Sequence, residues 1–100
     1  MFARLVTVQF QVEKINEVIR MFEEEVIPVG KSWKGYRGSY FLGDRNTGNC
    51  AAFTLWDSEE DIIANDQSSS YQGLLGKVAP LITSAPVREV YEVIIQDSLS

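Results

Sequence analysis

Apolar spacing in this chain switches from every second residue to every third or fourth and back again, twice over. That rhythm constrains the fold more tightly than any other feature. Across residues 3–12, Val6, Val8, Phe10 and Val12 alternate with Leu5, Thr7, Gln9 and Gln11, which predicts a two-faced strand. Ile15, Val18, Ile19, Phe22 and Val26 then recur at helical spacing opposite Lys14, Glu17, Arg20 and Glu24, which predicts an amphipathic helix. Pro28 lacks an amide donor and crowds the preceding turn, so this helix is expected to end or kink near Ile27, with residues 29–34 as an irregular exit.

The second half repeats the rhythm. Gly35 precedes a run of aromatic and small residues, 36–42, read as a strand. Asp44-Arg45-Asn46-Thr47-Gly48 supplies turn chemistry, and residues 49–56 form the returning strand of an antiparallel hairpin. Its alternation sets Ala51, Phe53 and Leu55 against Ala52, Thr54 and Trp56. Ser58 can cap a helix starting at Glu59, whose first turn carries Glu59, Glu60 and Asp61 where the helix dipole favours negative charge. The helix is expected to pause at Ser68-Ser69-Ser70, resume through Tyr71, Leu74, Leu75, Val78 and Leu81, and stop at Ala85-Pro86. A last strand spans residues 87–96, with Tyr91, Val93 and Ile95 on one face and Val90 and Ile94 on the other, before a serine-rich end expected to fray.

The order strand-helix-strand, strand-helix-strand predicts a single α+β domain over residues 1–100. Its plan is ferredoxin-like β-α-β-β-α-β, a four-stranded antiparallel sheet with helices on one face. Two helices shield one side of such a sheet. Leu5, Trp56 and one side of the last strand then require cover on the other, which a second copy of the chain would supply through the helix-free face.

Composition narrows the chemistry. Apolar residues make up 45% of the chain, enough for a globular core. Nine basic against fourteen acidic residues oppose the phosphate contacts that dominate nucleic-acid binding, so no nucleic-acid partner is expected. The first segment, interrupted by Thr7, Gln9 and Gln11, is too polar for a signal-peptide core and too short to span a membrane, which predicts a cytoplasmic protein with no membrane partner. Cys50 is the only cysteine and histidine is absent. Intrachain disulfides, histidine-based triads, histidine-bearing zinc sites and a histidine ligand to haem are therefore excluded. No metal and no cofactor is expected.

Several side chains could carry a binding site, each with a plainer role beside it. Trp56, just before the helix cap, could line a cavity and aim its indole donor at a ligand, or could simply pack. Asn65 offers a donor and an acceptor to a bound oxygen, or is an exposed helix residue. Thr7, Gln9 and Thr54, assigned to the dimer-facing side, could orient a small apolar or aromatic ligand or bond across the interface. Arg37 and Arg88 could steady an anionic substrate, or make ordinary ion pairs. Tyr36, Tyr40, Tyr71 and Tyr91 present hydroxyls. Glu23-Glu24-Glu25 reads as a solvated helix face, and the group from Asp57 to Asp66 as a complement to a helix N-terminus. Cys50 reads as a small packing residue.

Lys34-Gly35-Tyr36-Arg37-Gly38, the 42–48 turn, and above all Phe53-Thr54-Leu55-Trp56-Asp57-Ser58-Glu59-Glu60 resemble the antibiotic-biosynthesis-monooxygenase superfamily of dimeric α/β barrels. The superfamily often reads Trp-x-Ser-x-Glu followed by a histidine; Trp56, Ser58 and Glu60 match, and Asn65 stands where that histidine commonly sits. The resemblance implies two ferredoxin-like subunits packed sheet to sheet. It also implies a cofactor-independent monooxygenase acting on a small aromatic or polyketide-like substrate; on that reading Trp56, the residue the matching motif carries, and Asn65 are the catalytic candidates, while Thr7, Gln9, Arg37, Thr54 and Tyr71 are substrate contacts chosen from residue type and strand face. Haem degradation, which some members perform, is disfavoured by Asn65 in place of the imidazole. The alternative is a non-catalytic dimeric module that binds a small ligand in the same pocket.

Overall fold

A computed structural model describes residues 1–98. Strand β1 (Phe2–Gln9) leads through a short 3-10 turn into helix α1 (Ile15–Met21), a π-helical turn (Phe22–Val26) and helix α2 (Ile27–Gly30). Strands β2 (Tyr36–Gly43) and β3 (Asn49–Trp56) follow, then helices α3 (Glu59–Asp66) and α4 (Ser69–Val78), and strand β4 (Val87–Glu92). The sheet order is β2-β3-β1-β4, all neighbours antiparallel, with the helices on one face. This is the ferredoxin-like plan that the sequence predicts.

The boundaries differ where the backbone is under constraint. Pro28 does not end the first helix. A proline ring collides with the carbonyl four residues back in a regular α-helix, and here the turn before it is widened, with the Ile27 amide bonding the Phe22 carbonyl five residues earlier. The chain then continues helically to Gly30. β1 stops at Gln9, and Val12 enters the 3-10 turn rather than the strand. β4 stops at Glu92, leaving Ile94 and Ile95 outside the ladder and exposed. The predicted fraying of the end concerns Leu99 and Ser100, which lie outside the described residues.

Turn chemistry sets the hairpin. The Asp44 carboxylate accepts from the Asn46 and Thr47 amides, and the Asp44 carbonyl accepts from the Gly48 amide at 2.9 Å. Gly48 has φ +80°, and a Cβ there would lie 2.2 Å from the Phe10 carbonyl oxygen, so no other residue fits without moving β1. Ser58 and Ser68 cap α3 and α4, their hydroxyls accepting from the Asp61 and Tyr71 amides. The expected pause at the serine run is a real break between two helices.

The core lies between sheet and helices, where Val8, Phe10, Ile15, Val18, Cys50 and Leu81 pack together. Each large side chain fully withdrawn from water there contributes about 1.5–3 kcal/mol. β1 turns Arg4, Val6 and Val8 toward this core, with Phe10 following just past its end, and Leu5, Thr7 and Gln9 away from it. By register, Thr54 opposite Arg4 and Trp56 opposite Phe2 share the helix-bearing face. The assignment of Trp56 and Thr54 to the helix-free face is therefore corrected: Trp56 is completely buried beneath the helices and Thr54 is 7% exposed.

Candidate functional site

A cavity of about 120 Å³ runs between the sheet and the helices. Val6, Val8, Phe10, Val18, Leu74 and Val78 make its wall almost wholly apolar. Three polar side chains reach it, Arg4, Thr54 and Tyr71, and they gather at one place. Arg4 and Thr54 are cross-strand partners, and the Arg4 guanidinium carbon sits 4.2 Å from the centre of the Tyr71 ring.

Arg4 is held on every side. Its guanidinium lies 5.1 Å from the centre of the Trp56 ring, and Nη1 donates to Asp66 Oδ1 at 2.6 Å. The other Asp66 oxygen accepts from Arg88. A desolvated guanidinium between two aromatic faces gains about 2 kcal/mol from them, and with its carboxylate partner this offsets the cost of burying a charge. Trp56 Nε1 donates to Thr54 Oγ1 at 2.9 Å, and Thr54 Oγ1 in turn donates to the Arg4 carbonyl at 3.4 Å. Trp33, from the segment after α2, stacks on Trp56 at 6.0 Å and meets Tyr71 edge-on at 6.0 Å, its Nε1 donating to Ser70 Oγ.

Burial pushes the Tyr71 hydroxyl above the usual phenol range; Arg4 opposes this, Asp66 adds to it, and Arg88 opposes it. Tyr71 therefore keeps its proton at neutral pH and can donate a hydrogen bond to an anion. No His, Asp or Glu lines the cavity.

Of the residues singled out in the sequence, Tyr71 and Thr54 line the cavity, and Trp56 forms the layer behind it. Asn65 is buried on the same side of α3 as Ile62, and its Oδ1 has no hydrogen-bond partner among the described residues. The expectation of an exposed helix residue does not hold. Thr7 and Gln9 do not join the cavity: period-two geometry turns them to the helix-free face, where Gln9 Nε2 donates to the Thr47 carbonyl. Arg37 does not join it either. A bulge between Tyr36 and Gly38 takes Arg37 out of the ladder, and its side chain, 60% exposed, pairs with Asp57. The acidic group disperses, with Asp57 on Arg37 and Asp66 between two arginines.

Sequence reading passed over Arg4 and Trp33, and took Asp66 only as part of an acidic complement to a helix N-terminus. Arg4 was findable, since it stands in phase with Val6, Val8 and Phe10 and so is a cation on an apolar face. Trp33 carried no such signal, because only the path of the chain after Gly30 brings it onto Trp56.

Similar architectures occur among solved structures. A monooxygenase of Streptomyces coelicolor in complex with nanaomycin D superposes with a TM-score of 0.81 over 99% of this chain and 92% of its own, at 13% identity. A structure described as an antibiotic biosynthesis monooxygenase gives 0.77 over 95% and 100%, at 10% identity. The chain has the fold of the antibiotic biosynthesis monooxygenases. A protein of Mycobacterium tuberculosis shares it too, at 0.77 over 97% and 98% with 14% identity. No family model and no curated protein matches the sequence. At these identities the likeness is one of fold. No helix among the described residues is long and apolar enough to cross a membrane.

Proposed function

We propose that the chain is a cofactor-independent monooxygenase of a small, electron-rich hydroxyaromatic, acting as a homodimer assembled through the helix-free face of its sheet. The observation that carries this reading is the convergence of Arg4, Thr54 and Tyr71 at one place in an otherwise apolar cavity. A hydroxyaromatic fits that division, with its oxygen at the polar end and its ring in the sleeve. The monooxygenase names borne by structures of the same fold add support. So does the size of the space: a cavity near 150 Å³ holds benzene, and about 120 Å³ is room for one ring rather than for a flavin or haem.

The substrate supplies the electrons. One atom of dioxygen becomes a carbonyl oxygen on a ring carbon, the other leaves as water with two substrate hydrogens, and the hydroxyarene becomes a quinone. The protein stabilises the phenolate that reacts. Arg4 provides fixed positive charge, and Tyr71 donates to the oxyanion in a site where neither must reorganise. Trp56, with no accessible surface, positions Arg4 and Thr54 instead of touching substrate. Asn65, buried on α3 and outside the cavity wall, makes no direct substrate contact in this reading.

Oxygen uptake with hydroquinone and catechol, with labelled dioxygen traced into the product, tests the reading. Tyr71→Phe is expected to lower the rate roughly 100-fold, the usual effect of deleting one oxyanion donor; equal rates reject the site. A second reading, a non-catalytic binding module, draws on the lack of any carboxylate or imidazole base in the cavity wall. Tight phenol binding with no oxygen consumption would favour it.

A further inference from the structure

The cavity is not the only hollow, and the wall between it and the next one is thin. A groove of about 370 Å³ lies between α1 and the β2–β3 hairpin, walled by apolar Ile15, Ile19 and Ile27 together with charged Glu23, Asp44 and Arg45. Cavity and groove have two lining residues in common, Phe22 and Phe41. Their rings stack with centroids 4.9 Å apart and 14° between planes. Phe10, in the wall of the inner cavity, braces Phe41 edge-on at 6.4 Å.

Phe22 opens the π-helical turn, an irregularity frequent at functional sites, and Phe41 belongs to β2, an edge strand of the sheet. Each is only half-buried, so neither anchors the core as Phe10 does.

We infer that the Phe22–Phe41 pair is a specificity-determining partition: it confines the bound aromatic to a single ring, and removing it joins cavity and groove into one channel that accepts three fused rings. The inference rests on the cavity being the substrate site. Closed, the partition leaves space for about one ring; opened, it adds the larger groove, whose isoleucine wall offers the apolar contacts and whose charged side chains can stay solvated. Both compartments lie on the helix-bearing side, so the channel is formed within one protomer.

The test is anaerobic titration calorimetry with phenol, 2-naphthol and 2-anthrol against wild type, Phe22→Ala and Phe41→Ala. Phe22→Leu and Phe41→Leu serve if an alanine variant does not fold. Each truncation is expected to raise 2-anthrol affinity at least about tenfold, the scale on which hydrophobic pockets discriminate size, and to change phenol affinity far less. Unaltered size preference in all variants overturns the partition. An altered preference with no oxygen uptake by any variant upholds the partition and removes the monooxygenase reading. Failure of every aromatic to bind wild type overturns both.

Discussion

The two faces of the sheet handle their side chains in opposite ways. The helix-bearing face buries everything it can, including a charge: Val8, Phe10, Cys50 and Trp56 are withdrawn from water, and so is Arg4, at 2% exposure. On the other face Tyr40, Leu42, Val87 and Tyr91 remain more than half exposed, with Leu5, Phe53 and Leu55 between them on the central strands. A buried cation surrounded by rings costs desolvation, which here the Asp66 carboxylate and the faces of Trp56 and Tyr71 offset. A bare apolar sheet face costs hydration and is kept where something must cover it. The first is a feature of the single chain, and the second is the face through which the proposed homodimer would form.

The sharpest way to break the contrast is to remove the charge from the covered face. Arg4→Met keeps most of the side-chain volume but strips Asp66 of its buried partner, leaving only Arg88. We expect a loss of about 3 kcal/mol in urea unfolding, the low end for breaking a buried pair because Asp66 is 24% exposed. A loss below about 1 kcal/mol would mean that Arg4 behaves as a surface charge, and the contrast between faces would lose its meaning.

The bare face is tested by placing a charge on it. Phe53 sits on a central strand beside Tyr40, their rings 6.3 Å apart, so a partner sheet would bury it near the middle of the contact. Phe53→Glu is expected to weaken dimerisation by roughly 2 kcal/mol or more, the cost of losing a central interface anchor, with little effect on the fold of the protomer. Sedimentation equilibrium reads the outcome directly. A wild type that sediments as an 11.3 kDa monomer at micromolar concentration would show that this face is meant to be wet.

How much of this was legible in the sequence depended on whether a signal was local. Period-two and helical spacing located all four strands and both helical regions, because Val6-Val8-Phe10 and Tyr71-Leu74-Leu75-Val78 are repeated local choices. Of the two outcomes expected at Pro28, the ending does not occur, because the cost of an interior proline can be met by widening a turn, and nothing in residues 22–27 advertises that option. Face assignment failed for Thr54 and Trp56 although their alternation was read correctly. Parity along one strand does not say which parity faces the helices; that follows only from register with β1. Arg37 looked like a strand charge available to a ligand until the bulge turned it onto Asp57. The site is the least legible part because Trp33, Arg4, Tyr71 and Asp66 come from four separate segments. Only the packed fold makes them neighbours.

The smallest expected effect concerns the proton on Tyr71, and it refines the account of the covered face. Burial raises this hydroxyl above its ordinary value near 10, so the unfolded chain ionises at lower pH than the native one. Between those two points the native state holds more protons, and stability must fall as pH rises. The contribution is intact below about pH 10 and is lost above it. Wild type should therefore lose stability more steeply than Tyr71→Phe in urea titrations from neutral to strongly alkaline pH, since phenylalanine has no proton to give up. Tyr91, raised chiefly by the hydrogen bond its hydroxyl donates to Glu89, is the internal control: at dilutions that keep the chain monomeric, Tyr91→Phe should leave the alkaline slope close to wild type, because water competes with an exposed interaction of this kind. If the two variants flatten the slope equally, the difference in solvation between the faces is not what governs their ionisable groups.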